Sequence, residues 1–139
     1  MEGITIGELA RTSQVPPRTI RFYESKGLLP RPRRSPSGYR LYDQDDRKRL
    51  VLVRQARSLG FSLSEIKGLL RLAEHESCDS FQGRAAQSML RKLDEVNLTI
   101  ERLQRVRQEL EESIKVLSQS CEGDCQQAVF DCECNCLGV

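Results

Sequence analysis

The chain has 139 residues, of which 38% are hydrophobic and 30% charged, a composition typical of a soluble globular protein about one domain long. No run approaches the roughly 18 consecutive apolar residues of a membrane-spanning helix, and the segment MEGITIGELA lacks the features of a secretory signal. We therefore expect a cytoplasmic protein that does not enter a membrane and whose six cysteines are thiols rather than disulfides.

The net charge of +2 conceals an uneven distribution along the chain. Residues 1–75 hold 15 Lys and Arg against 8 Asp and Glu, whereas residues 76–139 hold 7 against 12. Five of the six cysteines lie in the last 19 residues. A basic first half without thiols and an acidic tail rich in thiols indicate two separate tasks, with nucleic acid as the partner of the first half.

Two short helices are predicted near the start of the chain. The segment Thr5-Ile6-Gly7-Glu8 has the pattern of a capping box and predicts a helix over about residues 6–12. A second helix follows a short turn and two prolines, covers about residues 18–25, and has Ile20 and either Phe22 or Tyr23 available for packing. Two short helices joined by a tight turn form a helix-turn-helix, whose second helix enters the DNA major groove.

The sequence next predicts a hairpin and two further helices. Residues 30–42 contain three prolines and one glycine, which exclude a helix and favour a small hairpin, or wing. Asp43 is predicted to cap a helix that ends at Gly60, with an apolar face made by Leu50, Val53 and Leu59. Ser62-Leu63-Ser64-Glu65 is a second capping box and opens another amphipathic helix.

A long helix is predicted from about Gly83 to Leu117, where proline and further glycine are absent. Its apolar residues follow alternating steps of four and three, interrupted only by Arg107: Met89, Leu93, Val96, Ile100, Leu103, Leu110, Ile114 and Leu117. So narrow an apolar stripe has too little to pack against within one chain, which predicts a homodimeric coiled coil. The predicted regions are therefore residues 1–75 for DNA binding, 76–120 for a hinge and dimer helix, and 121–139 for a cysteine-rich loop and tail.

Four segments, in order, resemble the DNA-binding domain of the MerR family of transcription regulators: Thr5–Ala10, Thr19–Leu29, Gly38–Tyr42 and Arg54–Leu63. The long helix and the cysteine-bearing tail further resemble the metal-sensing branch of this family. The resemblance implies a mainly α protein with a winged helix-turn-helix domain, a long antiparallel coiled-coil dimerisation helix and a C-terminal metal-binding loop. It also implies a homodimer that distorts double-stranded promoter DNA when metal binds, so that RNA polymerase can use the promoter.

Several basic and aromatic residues of the first half are predicted to contact DNA. On the second helix, Arg18 and Arg21, with Thr19 between them, are placed to reach base edges or phosphates. Five residues are predicted to contact the DNA backbone: Tyr23, Arg33, Arg34, Tyr39 and Arg40. Arg57 matches a family position that supports phosphate binding. The alternative is a set of solvated surface arginines with Tyr23 partly in the core.

The cysteines predict a site for a soft metal ion, because thiolates favour Zn, Cd, Hg, Pb or Cu(I). A helix of roughly 35 residues, on the order of 50 Å long, separates Cys78 from Cys121, so the two cannot meet within one chain. In an antiparallel dimer, Cys78 of one protomer lies beside the Cys121 loop of the other. The resemblance implies that a cysteine at the start of this helix belongs to sensors of divalent metals, whereas Cu(I) sensors typically have serine there.

The predicted inducer site therefore combines Cys78 of one protomer with Cys121 and Cys125 of the other, and its inducer is Zn, Cd, Pb or Hg. Only three residues separate the two loop cysteines, fewer than in the family pattern, which makes Cys132 the alternative second loop ligand. Cys134 and Cys136 are candidates for additional metal. His75 is a candidate fourth ligand of a tetrahedral zinc site, and a solvated histidine is the alternative.

The cysteines also allow three other functions: a Cu(I)-type regulator, an iron–sulfur redox sensor of the same family, and a thiol-rich metal-buffering protein that binds no promoter DNA. The redox-sensing branch has a tight Cys-x-x-Cys-x-Cys segment near the end of the dimer helix, which this sequence lacks. No nucleophile–base pair or phosphate-binding loop is evident, so we do not expect an enzyme.

Overall fold

The computed structural model describes residues 3–119, which form helices and short strands as follows. In chain order these are β1 (Ile4–Thr5), α1 (Ile6–Ser13), α2 (Pro17–Ser25), β2 (Arg33–Arg34), β3 (Arg40–Tyr42), α3 (Gln44–Ser58), α4 (Leu63–His75) and α5 (Cys78–Ser118). The chain divides into two compact units, one ending at Met89 and one beginning at Leu90. The mainly helical fold, the small wing sheet and the long helix are as predicted.

Reciprocal hydrogen bonds at three helix starts explain where α1, α3 and α4 begin. At α1, the Glu8 backbone N–H donates to the Thr5 hydroxyl at 3.3 Å, and the Thr5 backbone N–H donates to the Glu8 carboxylate at 3.1 Å. Asp43 at α3 and Ser62 at α4 take part in equivalent capping boxes. Each box satisfies backbone donors that the first turn of a helix leaves free. The predicted starts of α1, α3 and α4 are therefore confirmed.

The wing forms part of a three-stranded antiparallel sheet in the order β1-β3-β2. At the turn between β2 and β3, the backbone N–H of Ser35 donates to the carbonyl of Tyr39 at 2.9 Å, and Gly38 has a φ of 84°. Glycine adopts this left-handed conformation without a Cβ clash. The hairpin was predicted, whereas the pairing of Ile4 in β1 with Tyr42 in β3 was not.

Among residues 3–89, fourteen buried hydrophobic residues form the core; they lie on the four helices α1 to α4, on β3 and in the loops between these elements. They are Leu9, Val15, Ile20, Tyr23, Leu28, Leu29, Tyr42, Leu50, Val53, Ala56, Phe61, Ile66, Leu69 and Leu70. Of the two aromatic candidates on α2, Tyr23 is buried and Phe22 is exposed. Leu59, predicted on the apolar face of α3, is exposed instead, because it lies just beyond the last turn as the C-cap residue.

The long helix α5 begins at Cys78 rather than near Gly83. Ser77 precedes it, and the Ser77 hydroxyl accepts a hydrogen bond from the backbone N–H of Ser80 at 3.4 Å, as an N-cap side chain does. None of the residues of α5 is buried within the single chain. Among residues 3–119, no helix has the length and apolar character needed to cross a bilayer.

Candidate DNA interface and metal ligands

The second helix of the helix-turn-helix, α2, presents the predicted base-reading side chains. Ile20 is fully buried and anchors the helix to the core, while Arg18 and Arg21 are exposed on it and Thr19 is partly buried. The left-handed backbone of Gln14, with a φ of 57°, makes the turn before α2, and its side chain accepts a hydrogen bond from Arg54 of α3. The core and this turn thus orient α2 with its two arginines toward solvent.

Four of the residues predicted to contact the DNA backbone lie on the hairpin or its tip: Arg33, Arg34, Tyr39 and Arg40. Tyr39 is exposed, with 71% of its surface accessible. Arg34 donates from Nη1 to the carbonyl of Gly38 at 2.9 Å, and Arg33 lies 3.7 Å from the Asp43 carboxylate. The ion pair of Arg33 is largely exposed, so it contributes little to folding and leaves this cation accessible to other anions. The hairpin therefore carries an accessible basic surface.

Glu24 connects α2, the predicted recognition helix, to the wing. The Tyr42 hydroxyl of β3 donates a hydrogen bond to Glu24 Oε1, and Arg40 Nε of the same strand lies 3.5 Å from Glu24 Oε2. Burial, followed by this hydrogen bond to a carboxylate, raises the pKa of Tyr42 well above its ordinary value. The sequence predicted a role for Arg40 but not for Glu24 or Tyr42. The hydrogen-bonded residues Glu24 and Tyr42 are 18 residues apart, and no local sequence pattern predicts their contact.

Two other predicted DNA contacts are engaged within the protein. Tyr23 is 7% exposed, and its ring packs against the ring of Phe22 at a centroid distance of 5.8 Å. Arg57 donates from Nη1 to the carbonyl of Phe61 at 3.0 Å, which joins the end of α3 to the segment before α4. The DNA roles of Tyr23 and Arg57 stay predictions, and in this structure both side chains also support the fold.

The predicted metal ligands are divided between the described residues and the tail. Cys78 is an exposed free thiol at the first residue of α5, a donor that suits a soft metal ion. His75, the exposed last residue of α4, has Nε2 3.7 Å from the Glu74 carboxylate. Within residues 3–119, no three Cys, His, Asp or Glu side chains gather as one metal site requires.

The other predicted ligands lie outside the described residues; they are Cys121, Cys125, Cys132, Cys134 and Cys136. Of the predicted thiol ligands, Cys78 is therefore the one that lies among the described residues, and its role in metal binding stays a prediction.

A helix-turn-helix followed by a basic two-stranded hairpin is the arrangement of winged helix DNA-binding proteins.

Comparison with known proteins agrees with this class. The family model "MerR HTH family regulatory protein" matches residues 4–73, and "MerR, DNA binding" matches residues 47–113. The chain is 36% identical over 128 residues to the HTH-type transcriptional regulator ZntR of Escherichia coli (strain K12), covering 90% of this chain and 85% of ZntR. It is 37% identical over 121 residues to CueR of Vibrio cholerae, covering 87% of this chain and 83% of CueR.

Among solved structures, the transcription regulator PbrR691 from Ralstonia metallidurans CH34, crystallised in complex with lead(II), is similar with a TM-score of 0.72. Its sequence is 29% identical, and the match covers 97% of each chain. The chain belongs to the MerR family of helix-turn-helix transcriptional regulators. Both the predicted family and its metal-sensing branch are thereby confirmed.

Proposed function

We propose that this protein is a homodimeric regulator that binds double-stranded promoter DNA and activates genes for metal resistance or efflux when a thiophilic divalent ion binds. Zn, Cd, Pb and Hg are the candidate inducers, and RNA polymerase is the partner at the promoter. The observation that carries the proposal is the exposed thiol of Cys78 at the first residue of α5, in a chain whose DNA-binding elements precede that residue.

DNA binding in this proposal uses the recognition helix and the wing. Arg18 and Arg21 are exposed on α2, where guanidinium groups pair with guanine edges or phosphate oxygens. Arg33 and Tyr39 extend the basic and polar surface onto the hairpin, where contacts to the DNA backbone set register and affinity. The net excess of basic residues in this half favours binding to a polyanion at low ionic strength.

Dimerisation in this proposal uses the apolar stripe of α5. Leu103, Leu110 and Leu117 are each more than half exposed in the single chain, although they follow a heptad pattern. A stripe of this kind becomes buried when a second α5 packs against it, and burial of each leucine contributes about 2 kcal/mol. The antiparallel arrangement is the one that brings the start of one helix near the end of the other.

The inducer site in this proposal is shared by two protomers. Cys78 of one chain would act together with Cys121 and Cys125 of the other, with Cys132 as the alternative loop ligand. A thiophilic divalent ion bound there would form metal–thiolate bonds to both chains, and such bonds exist only in the assembled dimer. A ligand shifts a conformational equilibrium only by its difference in affinity between two states, and a site shared by two chains provides such a difference. The similarity to PbrR691, a protein crystallised with lead(II), supports a divalent inducer.

A metal panel with a cysteine variant tests this proposal. Purified full-length protein is combined with RNA polymerase and a template carrying its promoter, and transcripts are measured with Zn, Cd, Pb, Hg or Cu(I). We expect at least one divalent ion to raise transcription in the wild type, and Cys78→Ser to abolish that response while metal-free DNA binding is kept. Asp79→Asn changes the neighbouring residue, keeps the thiol and should respond as the wild type does.

Three outcomes would contradict the proposal in different ways. Induction by Cu(I) alone, equal in the wild type and in Cys78→Ser, would exclude the divalent assignment. Visible absorption with bound iron and sulfide in the purified protein would favour the redox-sensing alternative. Metal binding without affinity for any promoter duplex would favour the metal-buffering alternative.

A further inference from the structure

Glu24 occupies an unusual place for an acidic residue in a DNA-binding surface. It lies on α2 three residues after Arg21, and its side chain is only 12% exposed. Both of its oxygens face β3, where Tyr42 donates to one and Arg40 approaches the other. The carboxylate is therefore engaged by the wing rather than presented to solvent.

The contact with Arg40 is made by the inner nitrogen of the guanidinium. Nε is buried and lies 3.5 Å from the carboxylate, as an ion pair without a hydrogen bond, and neither outer nitrogen of Arg40 makes a hydrogen bond among residues 3–119. The Arg40 side chain as a whole keeps 35% of its surface accessible. Because a guanidinium presents donors on two edges, an acid on the inner edge orients the outer nitrogens without using them.

Glu24 joins the two predicted DNA-binding elements. It lies on α2, the helix that also carries the predicted base-reading Arg21, and its partners Tyr42 and Arg40 both lie on β3 of the wing. A contact between elements restricts their relative motion, and it reduces the ordering that binding would otherwise require.

We propose that Glu24 is a positioning residue for DNA binding, which holds the wing against the recognition helix and orients Arg40 so that its outer nitrogens meet a DNA phosphate. This inference rests on the proposed function, since it requires the α2 and wing surface to be the one that binds DNA. It assigns to an acidic side chain a favourable effect on affinity for a polyanion.

The sign of one substitution separates positioning from simple charge. Glu24→Ala removes a negative charge from the DNA-binding region, so long-range electrostatics alone predict tighter binding. Positioning predicts the reverse, and we expect binding to be about tenfold weaker, as for coupled contacts of this kind. Asp45→Ala is the matched control, because Asp45 is an exposed carboxylate of the same unit whose ion partner is Lys48. We expect it to bind equally or slightly more tightly.

The measurement uses the full-length protein and a duplex selected by the wild type from a random pool. Affinities are measured over a range of salt concentrations by fluorescence anisotropy, at a temperature where circular dichroism shows each variant folded. Arg40→Ala should reduce the slope of log affinity against log salt by about 1.8, from two phosphate contacts per dimer at about 0.9 each. Glu24→Ala should reduce this slope similarly. A variant that is only less stable would instead keep the wild-type slope, because its folded molecules make the same phosphate contacts.

A double-mutant cycle completes the test. If Glu24 acts through Arg40, then Glu24→Ala should have little further effect in the Arg40→Ala background. Unchanged or tighter binding by Glu24→Ala, or a full additional loss in that background, would overturn the inference while leaving DNA binding intact. A wild type that selects no duplex from the pool would instead overturn the proposed function, and the inference with it.

Discussion

The two compact units of this chain differ in how far they bury their apolar side chains. In the unit that ends at Met89, fourteen hydrophobic side chains from several elements are buried against one another. In the described part of the unit that begins at Leu90, the helix has no buried residue, and its leucines and isoleucines are exposed. Hydrophobic burial can therefore hold the first unit together within one chain, whereas the stripe of the second is available to a partner.

Substitutions in the two units should therefore change different properties of the protein. A change in the core of the first unit should alter the free energy of unfolding, because the core side chains pack against residues of the same chain. A change in the stripe of α5 should alter association, because within the single chain those side chains are already exposed. Variants chosen in pairs from the two regions separate these effects.

The largest effect is expected from a charge in the apolar stripe. Leu103→Glu should weaken the dimer by at least about 100-fold, because each dimer loses two buried leucines at about 2 kcal/mol apiece and gains two charges in the interface. Analytical ultracentrifugation over a concentration series measures the dissociation constant. Leu98→Glu is the matched control: Leu98 is 66% exposed and Leu103 is 61% exposed, but only Leu103 follows the heptad pattern. Equal weakening by both variants would contradict an interface along the stripe.

A smaller effect is expected in the core. Leu50 of α3 is fully buried, and Leu50→Ala should lower the free energy of unfolding by about 3 kcal/mol, since it reduces apolar burial and leaves a cavity behind. Leu59→Ala, just beyond the same helix, removes an exposed side chain and should cost less than about 1 kcal/mol. Urea denaturation at one fixed protein concentration gives both values. Similar costs for the two variants would show that the buried set does not act as a core.

The smallest effect is expected from a buried carboxylate. Asp46, which is 6% exposed, accepts a hydrogen bond from the Asp43 backbone N–H at 3.0 Å, and burial raises the pKa of Asp46 in the folded state. Because the pKa of Asp46 is higher in the folded state than in the unfolded state, this group stabilises the fold at pH values below its ordinary pKa of 3.8. That contribution to the free energy of unfolding is lost as pH rises through the pKa of the folded state. Asp46→Asn keeps an acceptor without the charge, so it should be the more stable form at pH 7.

The difference in stability between Asp46→Asn and the wild type should disappear on acidification below the ordinary aspartate pKa. Thermal unfolding over a pH series measures it, and Asp94→Asn on the exposed surface of α5 controls for the loss of a carboxylate. A wild type that stays more stable than Asp46→Asn at neutral pH would show that the charge helps α3 more than burial opposes it.

Many features of the fold could be predicted because the responsible contacts are local. The capping boxes that begin with Thr5 and Ser62 join residues three apart, so their pattern is visible in the chain itself. The start of α5 was predicted near Gly83, too far along the chain, because the N-cap residue Ser77 was not recognised in the sequence. The heptad stripe was recognised because its spacing follows from helix geometry alone.

The candidate sites could be predicted only in part. Exposed arginines of α2 and the wing follow from motif order, but the choice of Tyr23 rather than Phe22 for the core depends on how α2 packs. Cys78 lies where a metal ligand was predicted, at the start of α5, while the cysteines of the tail lie outside the described residues. The composition of the inducer site therefore stays a prediction from the sequence.

The sequence by itself determined the starts of α1, α3 and α4, the hairpin, the presence of the long helix and the family, because short-range hydrogen bonds, proline and glycine positions and apolar spacing are properties of neighbouring residues. The tertiary structure alone decided that β1 pairs with β3 and that Glu24 meets Tyr42 and Arg40. These contacts join residues far apart in the chain, and their positions depend on how the whole core packs. The link between recognition helix and wing is therefore visible only in three dimensions.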